Sequence, residues 1–263
     1  MKKYVNLFVF VFMIGACLSQ GRAQTKSAVS YKNPVVDIAM PDPTVIKAAD
    51  GYFYVYATES TRNVPIMKSK DLVEWTYCNT AFTNKTRPRF EPKAGIWAPD
   101  INYINGKYVL YYAMSVWGGE QTCGIGVATA NSPQGPFTDH GKMFRSNEIG
   151  VQNSIDPSLL QYEGRNYLVW GSFRGIYVIE LTADGLSIMP GAKKKRIAGT
   201  AFEAVYIHKH DDYYYMFASI GSCCQGVKST YKVVVGRSKK VWGPYKDKTG
   251  KPMLKNGYSL VIG

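Results

Sequence analysis

The sequence predicts an all-β protein of the β-propeller type, and two observations carry this prediction. Four segments repeat the same order of an acidic residue, a short apolar strand, a tight turn and an aromatic strand that ends in a small residue. No long segment with helical periodicity follows the N-terminal leader. Repeats of blade size, built from short strands, are typical of propellers in which each repeat forms one four-stranded sheet.

The N-terminal leader has the features of a signal peptide. A basic start precedes an apolar run at 5–16, which is too short to span a bilayer. Small residues close to position 23 suit signal peptidase, so 1–23 is predicted to be removed and 24–263 to form the propeller domain. A lipoprotein signal ending at Cys17 is the alternative. The predicted location is therefore secreted or periplasmic, or membrane-anchored through Cys17.

The four repeats begin with acidic residues and contain hairpin signals. Their first residues are Asp42, Asp100, Asp156 and Glu203. Their turns fall at Asp50-Gly51, Asn105-Gly106, Glu163-Gly164 and Asp211-Asp212. Such pairs between alternating strands are strong local signals for β-hairpins. Because equivalent residues of propeller blades are related by rotation about one axis, the four acids are predicted to stand in register at one mouth of the central tunnel.

Acidic residues at one mouth have a specific chemical use. Like charges in a cleft raise one another's pKa, so one carboxyl can stay protonated while another is ionised. The protonated group can donate to a leaving oxygen, and the ionised group can activate water, which is the two-carboxylate scheme of glycosidases. A single Asp before proline often only caps a turn. Four acids in register, one of them Glu, indicate a glycosidase site.

The start of each repeat resembles the blade-start motifs of glycoside hydrolase family 43. The similarity runs from about Asn33 to the end of the chain and rests on Pro41-Asp42-Pro43, Trp97-Ala98-Pro99-Asp100, Ile155-Asp156-Pro157 and Phe202-Glu203-Ala204. The resemblance implies a five-bladed β-propeller in which Asp42 is the general base and Glu203 the general acid. It makes Asp156 the residue that adjusts the pKa of the acid and orients it. Asp100 is expected to be structural, with a substrate subsite as the alternative.

Finer motifs are similar to those of endo-1,5-α-L-arabinanases. They lie at 171–176, 221–226, 229–231, 236–238 and 243–245. The resemblance implies an inverting enzyme that cleaves 1,5-α-L-arabinofuranosidic bonds in arabinan, a plant cell-wall polysaccharide. The expected sugar-binding residues are Asp42, Trp97, Gly118, Gly119, Asn153, Ser154, Ile155, Asp156, Ser172, Phe173 and Arg174. Packing between blades is an equal alternative for Trp97.

Two features depart from the family pattern. Val205 stands where the family usually has a proline, which loosens the backbone beside Glu203 without removing a reactive group. The segment 258–262 is interpreted as the start of a fifth repeat, so the fifth blade is expected to be largely missing. With it would go a histidine that the family places near a central metal, usually calcium. On this expectation the domain is C-terminally incomplete, poorly stable and weakly active or inactive.

Two other functions are compatible with the same features. One is an exo-acting α-L-arabinofuranosidase or β-xylosidase of the same family, and another is a non-catalytic glycan-binding propeller.

The net charge of +13 does not favour binding of nucleic acid, because the basic residues are scattered and form a run only at 193–196. The expected partners are arabinan and its oligosaccharides, and the expected state is a monomer. The four cysteines after Cys17 leave three disulfide pairings open, and three histidines do not suggest a metal site.

Overall fold

The computed structural model describes residues 30–263, and residues 33–263 form one compact unit. The predicted signal peptide at 1–23 and the alternative anchor at Cys17 lie outside the described residues. Within the described part of the chain, no helix is both long and apolar enough to cross a membrane.

Four antiparallel sheets account for the fold of the described residues, and each contains four strands in chain order. The strands are β1 (Thr44–Lys47), β2 (Phe53–Tyr56), β3 (Pro65–Ser69) and β4 (Thr76–Thr80); β5 (Gly95–Ile104), β6 (Lys107–Ser115), β7 (Gly124–Ala130) and β8 (Thr138–Arg145); β9 (Ser158–Tyr162), β10 (Arg165–Trp170), β11 (Ile176–Glu180) and β12 (Lys195–Ala198); and β13 (Glu203–His210), β14 (Tyr213–Ile220), β15 (Lys232–Ser238) and β16 (Ser259–Ile262). From residue 30 onward, helical structure is limited to α1 (Ser146–Ile149) and two 3-10 turns, Gly226–Lys228 and Met253–Lys255. The all-β prediction is confirmed, with four blades; a fifth blade stays a prediction.

The predicted hairpin turns form at the expected pairs. Asn105 and Gly106 both have positive φ, 48° and 81°, between the paired ends of β5 and β6. Glu163 and Gly164 repeat this geometry, with φ of 50° and 71°, between β9 and β10. Two consecutive left-handed residues make the tight turn whose twist matches that of the flanking strands.

The core lies between neighbouring sheets and depends on strand alternation. Successive side chains of β6 point to opposite faces of its sheet. Leu110 and Tyr112 pack with the residues of the first sheet, whereas Val109 and Tyr111 pack with those of the third. A further apolar cluster joins the third and fourth sheets. Because both faces of the second sheet are covered, β6 is buried over nearly its whole length.

The backbone defines which residues of the four repeats are equivalent. Each repeat has one left-handed residue just before its first strand or at the irregular point within it: Asp42 (φ 49°), Ala98 (φ 41°), Asp156 (φ 57°) and Ala204 (φ 51°). Two residues later the first strand pairs with the second: Thr44 with Tyr56, Asp100 with Tyr111, Ser158 with Val169, and Tyr206 with Phe217.

The predicted register of the four acids is therefore wrong for two of them. Asp42 and Asp156 are equivalent. Asp100 stands two positions later, and Glu203 stands one position earlier, where the second repeat has Trp97. The pairing register shifts within β5 between Trp97 and Asp100, and within β13 between Glu203 and Tyr206. An irregularity of the bulge type therefore lies just before Asp100 and just after Glu203. Sequence spacing alone did not show these irregularities.

The segment 258–262 also differs from its predicted place. Ser259 pairs with Val235, and Ile262 pairs with Val233, so β16 is the outer strand of the fourth sheet. It does not begin a new sheet. Its apolar side chains are largely exposed on this outer strand.

Candidate active site

One pocket of about 1350 Å³ receives residues from all four sheets. Asp42 precedes β1, Asp156 precedes β9, and Glu203 is the first residue of β13. All three carboxylates line this pocket. The predicted meeting of these acids at a shared opening is thus what the structure shows, although their registers differ.

Asp42 is the exposed member of the three. Its Oδ2 accepts a hydrogen bond from the Thr58 hydroxyl at 2.5 Å. The Thr58 oxygen in turn accepts from the backbone N–H of Ala98 at 2.7 Å. Since that N–H occupies the Thr58 oxygen as an acceptor, the hydroxyl hydrogen is directed at Asp42, which holds the carboxylate in place.

Asp156 is half-buried between the other two acids. Burial raises its pKa well above the ordinary value, and the negative charges of Glu203 and Asp42 raise it further. One donor works against this shift, because the Ala204 N–H lies 3.1 Å from Asp156 Oδ2. The neutral form that the sequence analysis expected within the cluster is therefore favoured at Asp156.

Glu203 is held by a hydroxyl at each carboxylate oxygen. Its side chain is almost buried, at 9% exposure. The Ser172 hydroxyl donates to Oε2 at 2.7 Å, and the Tyr231 hydroxyl donates to Oε1 at 2.7 Å. Burial, and then the charge of Glu203, raise the pKa of Tyr231, so its hydroxyl remains a donor. The roles of Tyr231 and Thr58 were not predicted, because neither occupies an acidic position of the repeat.

The segment 153–155 divides between the pocket and the core. Asn153 lines the pocket and donates to the Ser172 hydroxyl oxygen at 3.0 Å. Ser154 was predicted to bind sugar, but its side chain is buried. Its hydroxyl donates to Val151 O at 2.7 Å and accepts from Trp170 Nε1 at 3.0 Å. The prediction for Ser154 is wrong, because this side chain points into the protein.

Two tryptophans form an aromatic pair at the pocket wall. The rings of Trp97 and Trp117 are 5.5 Å apart and tilted by 50°. Trp97 is half-buried and packs on a small cluster that contains Ile155, whereas Trp117 is 78% exposed. Trp97 therefore both packs in the protein and lines the pocket, so it combines the packing and the sugar-stacking alternatives. Trp117 also lines the pocket and was not among the predicted sugar-binding residues.

The remaining predicted residues lie at the wall or at its rim. Ile155, Gly118, Gly119 and Phe173 line the pocket. Arg174 does not line the pocket. It forms an ion pair of 2.8 Å with Glu120, and Glu120 does line the pocket. Arg174 therefore contacts the pocket wall only indirectly, by holding the Glu120 side chain.

Asp100 connects three sheets. Its Oδ2 accepts from the Leu159 N–H and from Asn102 Nδ2, both at 2.7 Å. Its Oδ1 lies 3.4 Å from the Thr44 hydroxyl. Burial raises the pKa of Asp100 to about 6, against the effect of these donors. These contacts fit the structural role expected from the sequence. Asp100 also lines the pocket, so the alternative of a substrate subsite stays a prediction.

Cys78, Cys123, Cys223 and Cys224 are free thiols, and the last two line the pocket. Across residues 30–263, no three side chains of His, Cys, Asp or Glu group in a way that could hold a metal ion. The calcium that the resemblance implies for the family fold therefore stays a prediction.

Comparison with known proteins places this geometry in a family. Residues 31–259 match the family described as Glycosyl hydrolases family 43. The chain is 38% identical over 234 residues to extracellular endo-α-(1→5)-L-arabinanase 1 of Bacillus subtilis, covering 84% of this chain and 71% of that protein. It is 36% identical over 250 residues to an extracellular exo-α-(1→5)-L-arabinofuranosidase of Cellvibrio japonicus, covering 84% and 70%.

Solved structures show the same likeness. The α-L-arabinanase of Cellvibrio cellulosa matches with a TM-score of 0.77 and 33% identity, covering 86% of this chain and 78% of that one. Its complex with arabinohexaose matches equally well. The family match extends over nearly all of the described residues and includes the three carboxylates that share the pocket. The chain therefore belongs to glycosyl hydrolase family 43.

Proposed function

We propose that the protein hydrolyses 1,5-α-L-arabinofuranosidic bonds in arabinan, with inversion at the anomeric carbon. The observation that carries this proposal is the convergence of Asp42, Asp156 and Glu203 on one pocket. A volume of about 1350 Å³ accommodates several sugar units. The names of the relatives supply the substrate class, since they include an endo-arabinanase and an arabinanase solved with arabinohexaose.

The two proton-transferring carboxyls differ in environment as this reaction requires. Asp42 is exposed, so its carboxylate can meet a water molecule and take its proton as the water oxygen attacks the anomeric carbon. Glu203 is nearly buried and fixed at both oxygens, so it can be presented to the leaving oxygen in one orientation. As the glycosidic C–O bond breaks, Glu203 gives its proton to that oxygen and becomes a carboxylate.

Asp156 acts on this pair without exchanging a proton with the substrate. Its Oδ2 is bonded to the N–H of Ala204, the residue next to Glu203, and therefore fixes the backbone that carries the acid. Ala204 also has a left-handed conformation, with φ of 51°. Removing Asp156 would release the backbone that carries Glu203, so activity should fall while substrate binding persists.

The proposal is tested with debranched linear arabinan. Wild-type protein should release arabino-oligosaccharides, while Asp42→Ala and Glu203→Ala should each lose at least about a thousandfold in kcat. Tyr103→Phe is a suitable control, because Tyr103 is exposed and lies outside the pocket. Binding of arabinan without cleavage by the wild type would instead support a glycan-binding propeller.

An exo mode is the second candidate, and the 36% identical exo-acting relative favours it. The distinction lies in product length. An endo enzyme releases a mixture of oligosaccharides early in the reaction, whereas an exo enzyme releases one product size from the first turnover. Chromatography of products at low conversion separates the two modes.

The cellular location belongs to the same proposal. Both curated relatives described above carry the word extracellular in their names. An exported enzyme would meet a cell-wall polysaccharide directly. Labelling with radioactive palmitate would distinguish free secretion from anchoring through Cys17.

A further inference from the structure

Hydrogen bonds around Glu203 have directions that the contacts themselves fix. Asn153 Nδ2 lies 3.2 Å from the Ser172 carbonyl oxygen and 3.0 Å from its hydroxyl oxygen. A carbonyl oxygen only accepts, so the Asn153 atom facing it must be the amide nitrogen. The two hydrogens of this nitrogen then serve the two oxygens of Ser172.

The Ser172 hydroxyl is thereby committed as a donor to Glu203. Its oxygen receives a hydrogen from Asn153, and its own single hydrogen is directed at Glu203 Oε2, 2.7 Å away. The side chain of Ser172 is buried, so water does not compete for this hydrogen. Protonation of Oε2 is disfavoured, because this oxygen already accepts a short hydrogen bond from a hydroxyl whose hydrogen has no other acceptor.

The other oxygen of Glu203 faces a donor with more freedom. The Tyr231 hydroxyl donates to Oε1 at 2.7 Å, and Tyr231 itself lines the open pocket. A phenol hydrogen can turn between two in-plane directions. Tyr231 can therefore withdraw its hydrogen from Oε1, whereas Ser172 cannot withdraw its hydrogen from Oε2 without breaking the contact with Asn153.

We propose that Glu203 carries its transferable proton on Oε1, the oxygen beside Tyr231, and that the chain from Asn153 through Ser172 excludes the proton from Oε2. This inference rests on the proposed function and names Ser172, Asn153 and Tyr231 as positioning residues. In the reaction the proton leaves Oε1 for the leaving oxygen of the sugar. The electron pair of the broken O–H bond remains on Oε1, where the Tyr231 hydroxyl then donates to it.

The two hydroxyls consequently have different effects on ionisation. Ser172 donates to Oε2 in both forms of Glu203, whereas Tyr231 donates to Oε1 only in the ionised form. Loss of the Tyr231 hydroxyl therefore disfavours the ionised form selectively. The other titratable groups facing Glu203 are Asp42, Asp156 and Cys223, and they are unchanged in either variant.

The first test follows the infrared bands of Glu203 during a pH titration, isolated by subtracting the spectra of Glu203→Gln. In Tyr231→Phe the ionisation midpoint should rise by about one to two pH units, as expected for loss of a hydrogen bond to a charged group. In Ser172→Ala the rise should be clearly smaller. This readout does not need catalysis, so it stands even if arabinan is not the substrate.

The same spectra identify the carbonyl oxygen of the protonated acid. If Oε2 is the carbonyl oxygen, its C=O band should shift to higher frequency in Ser172→Ala, which removes the hydrogen bond, and should stay in place in Tyr231→Phe. Because each variant is compared with the wild type, the result is informative even if only one of the two variants folds. The opposite pattern, with the larger midpoint rise in Ser172→Ala or a band shift only in Tyr231→Phe, overturns the assignment.

If the protein cleaves linear arabinan, a kinetic test is also available. The alkaline limb of the profile of kcat/KM against pH should move upward in Tyr231→Phe by the amount seen in the infrared titration, and Tyr103→Phe should leave it unchanged. Activity without a shift of this limb contradicts the role of Tyr231. A wild type that cleaves no arabinan contradicts the proposed function, and the infrared result then decides the proton position separately.

Discussion

Replacing Asp100 by asparagine removes one negative charge from the junction of the first three sheets while keeping the two short hydrogen bonds to Oδ2. The asparagine oxygen can take the place of Oδ2 and accept from the Leu159 N–H and from Asn102, both 2.7 Å from that atom. The long hydrogen bond that the Thr44 hydroxyl donates to Oδ1 reverses in this variant, with the asparagine nitrogen donating and the Thr44 oxygen accepting. Asp100→Asn should therefore fold, and it reproduces the neutral form of the aspartic acid.

The effect on stability follows from the raised pKa. Burial raises the pKa of Asp100 from 3.8 to about 6 in the folded protein. As pH rises from about 4 to 6, the unfolded chain loses this proton before the folded chain does, so the free energy of unfolding falls. The full loss is present above pH 6 and corresponds to at most about 3 kcal/mol; with partial exposure of the group, about 1–3 kcal/mol is expected.

Thermal melts of wild type and Asp100→Asn at pH 4 and pH 7.5 measure this difference. The variant should melt several degrees above the wild type at pH 7.5 and close to it at pH 4. Asp100→Ala is the matched control, and it should be less stable than Asp100→Asn at both pH values, because the Leu159 N–H loses its acceptor. A variant Asp100→Asn that is less stable than wild type at pH 7.5, or a difference independent of pH, would refute this reasoning.

Three further substitutions probe other parts of the structure. Glu59→Gln should lower the free energy of unfolding in urea by about 3–5 kcal/mol, because it leaves the buried Arg87 guanidinium without its charge partner. Gly126→Ala should lower the melting temperature by several degrees, since the added Cβ would stand 2.6 Å from a ring carbon of the buried Tyr112. Trp117→Ala should raise KM for linear arabinan about 2–10-fold through lost stacking, with little change in melting temperature because the ring is exposed.

The sequence predicted the architecture because hairpin turns and strand alternation are local properties. The turns at Asn105-Gly106 and Glu163-Gly164 require two residues with positive φ, and such residue pairs are recognisable in the sequence. The convergence of Asp42, Asp156 and Glu203 was also predictable, because rotational repetition brings the starts of first strands together.

What the sequence did not show depends on irregular backbone and on non-local contacts. The register shifts beside Trp97 and Glu203 move an acid by one or two positions and leave no residue signature. Tyr231 reaches Glu203 from 28 residues away, outside the regular strands. Ser154 lies between two pocket-lining residues and could be assigned to the core only from its buried contacts with Val151 and Trp170.

In the proposed reaction, Asp42 and Glu203 act together in a single inverting displacement. Proton NMR of arabinohexaose hydrolysis, recorded before mutarotation, reports the anomeric configuration of the first product. The proposed function predicts that new reducing ends appear first as the β-anomer, and that neither Asp42→Ala nor Glu203→Ala produces them at the wild-type rate. New ends that appear first as the α-anomer, or unchanged cleavage by either variant, would contradict the claim.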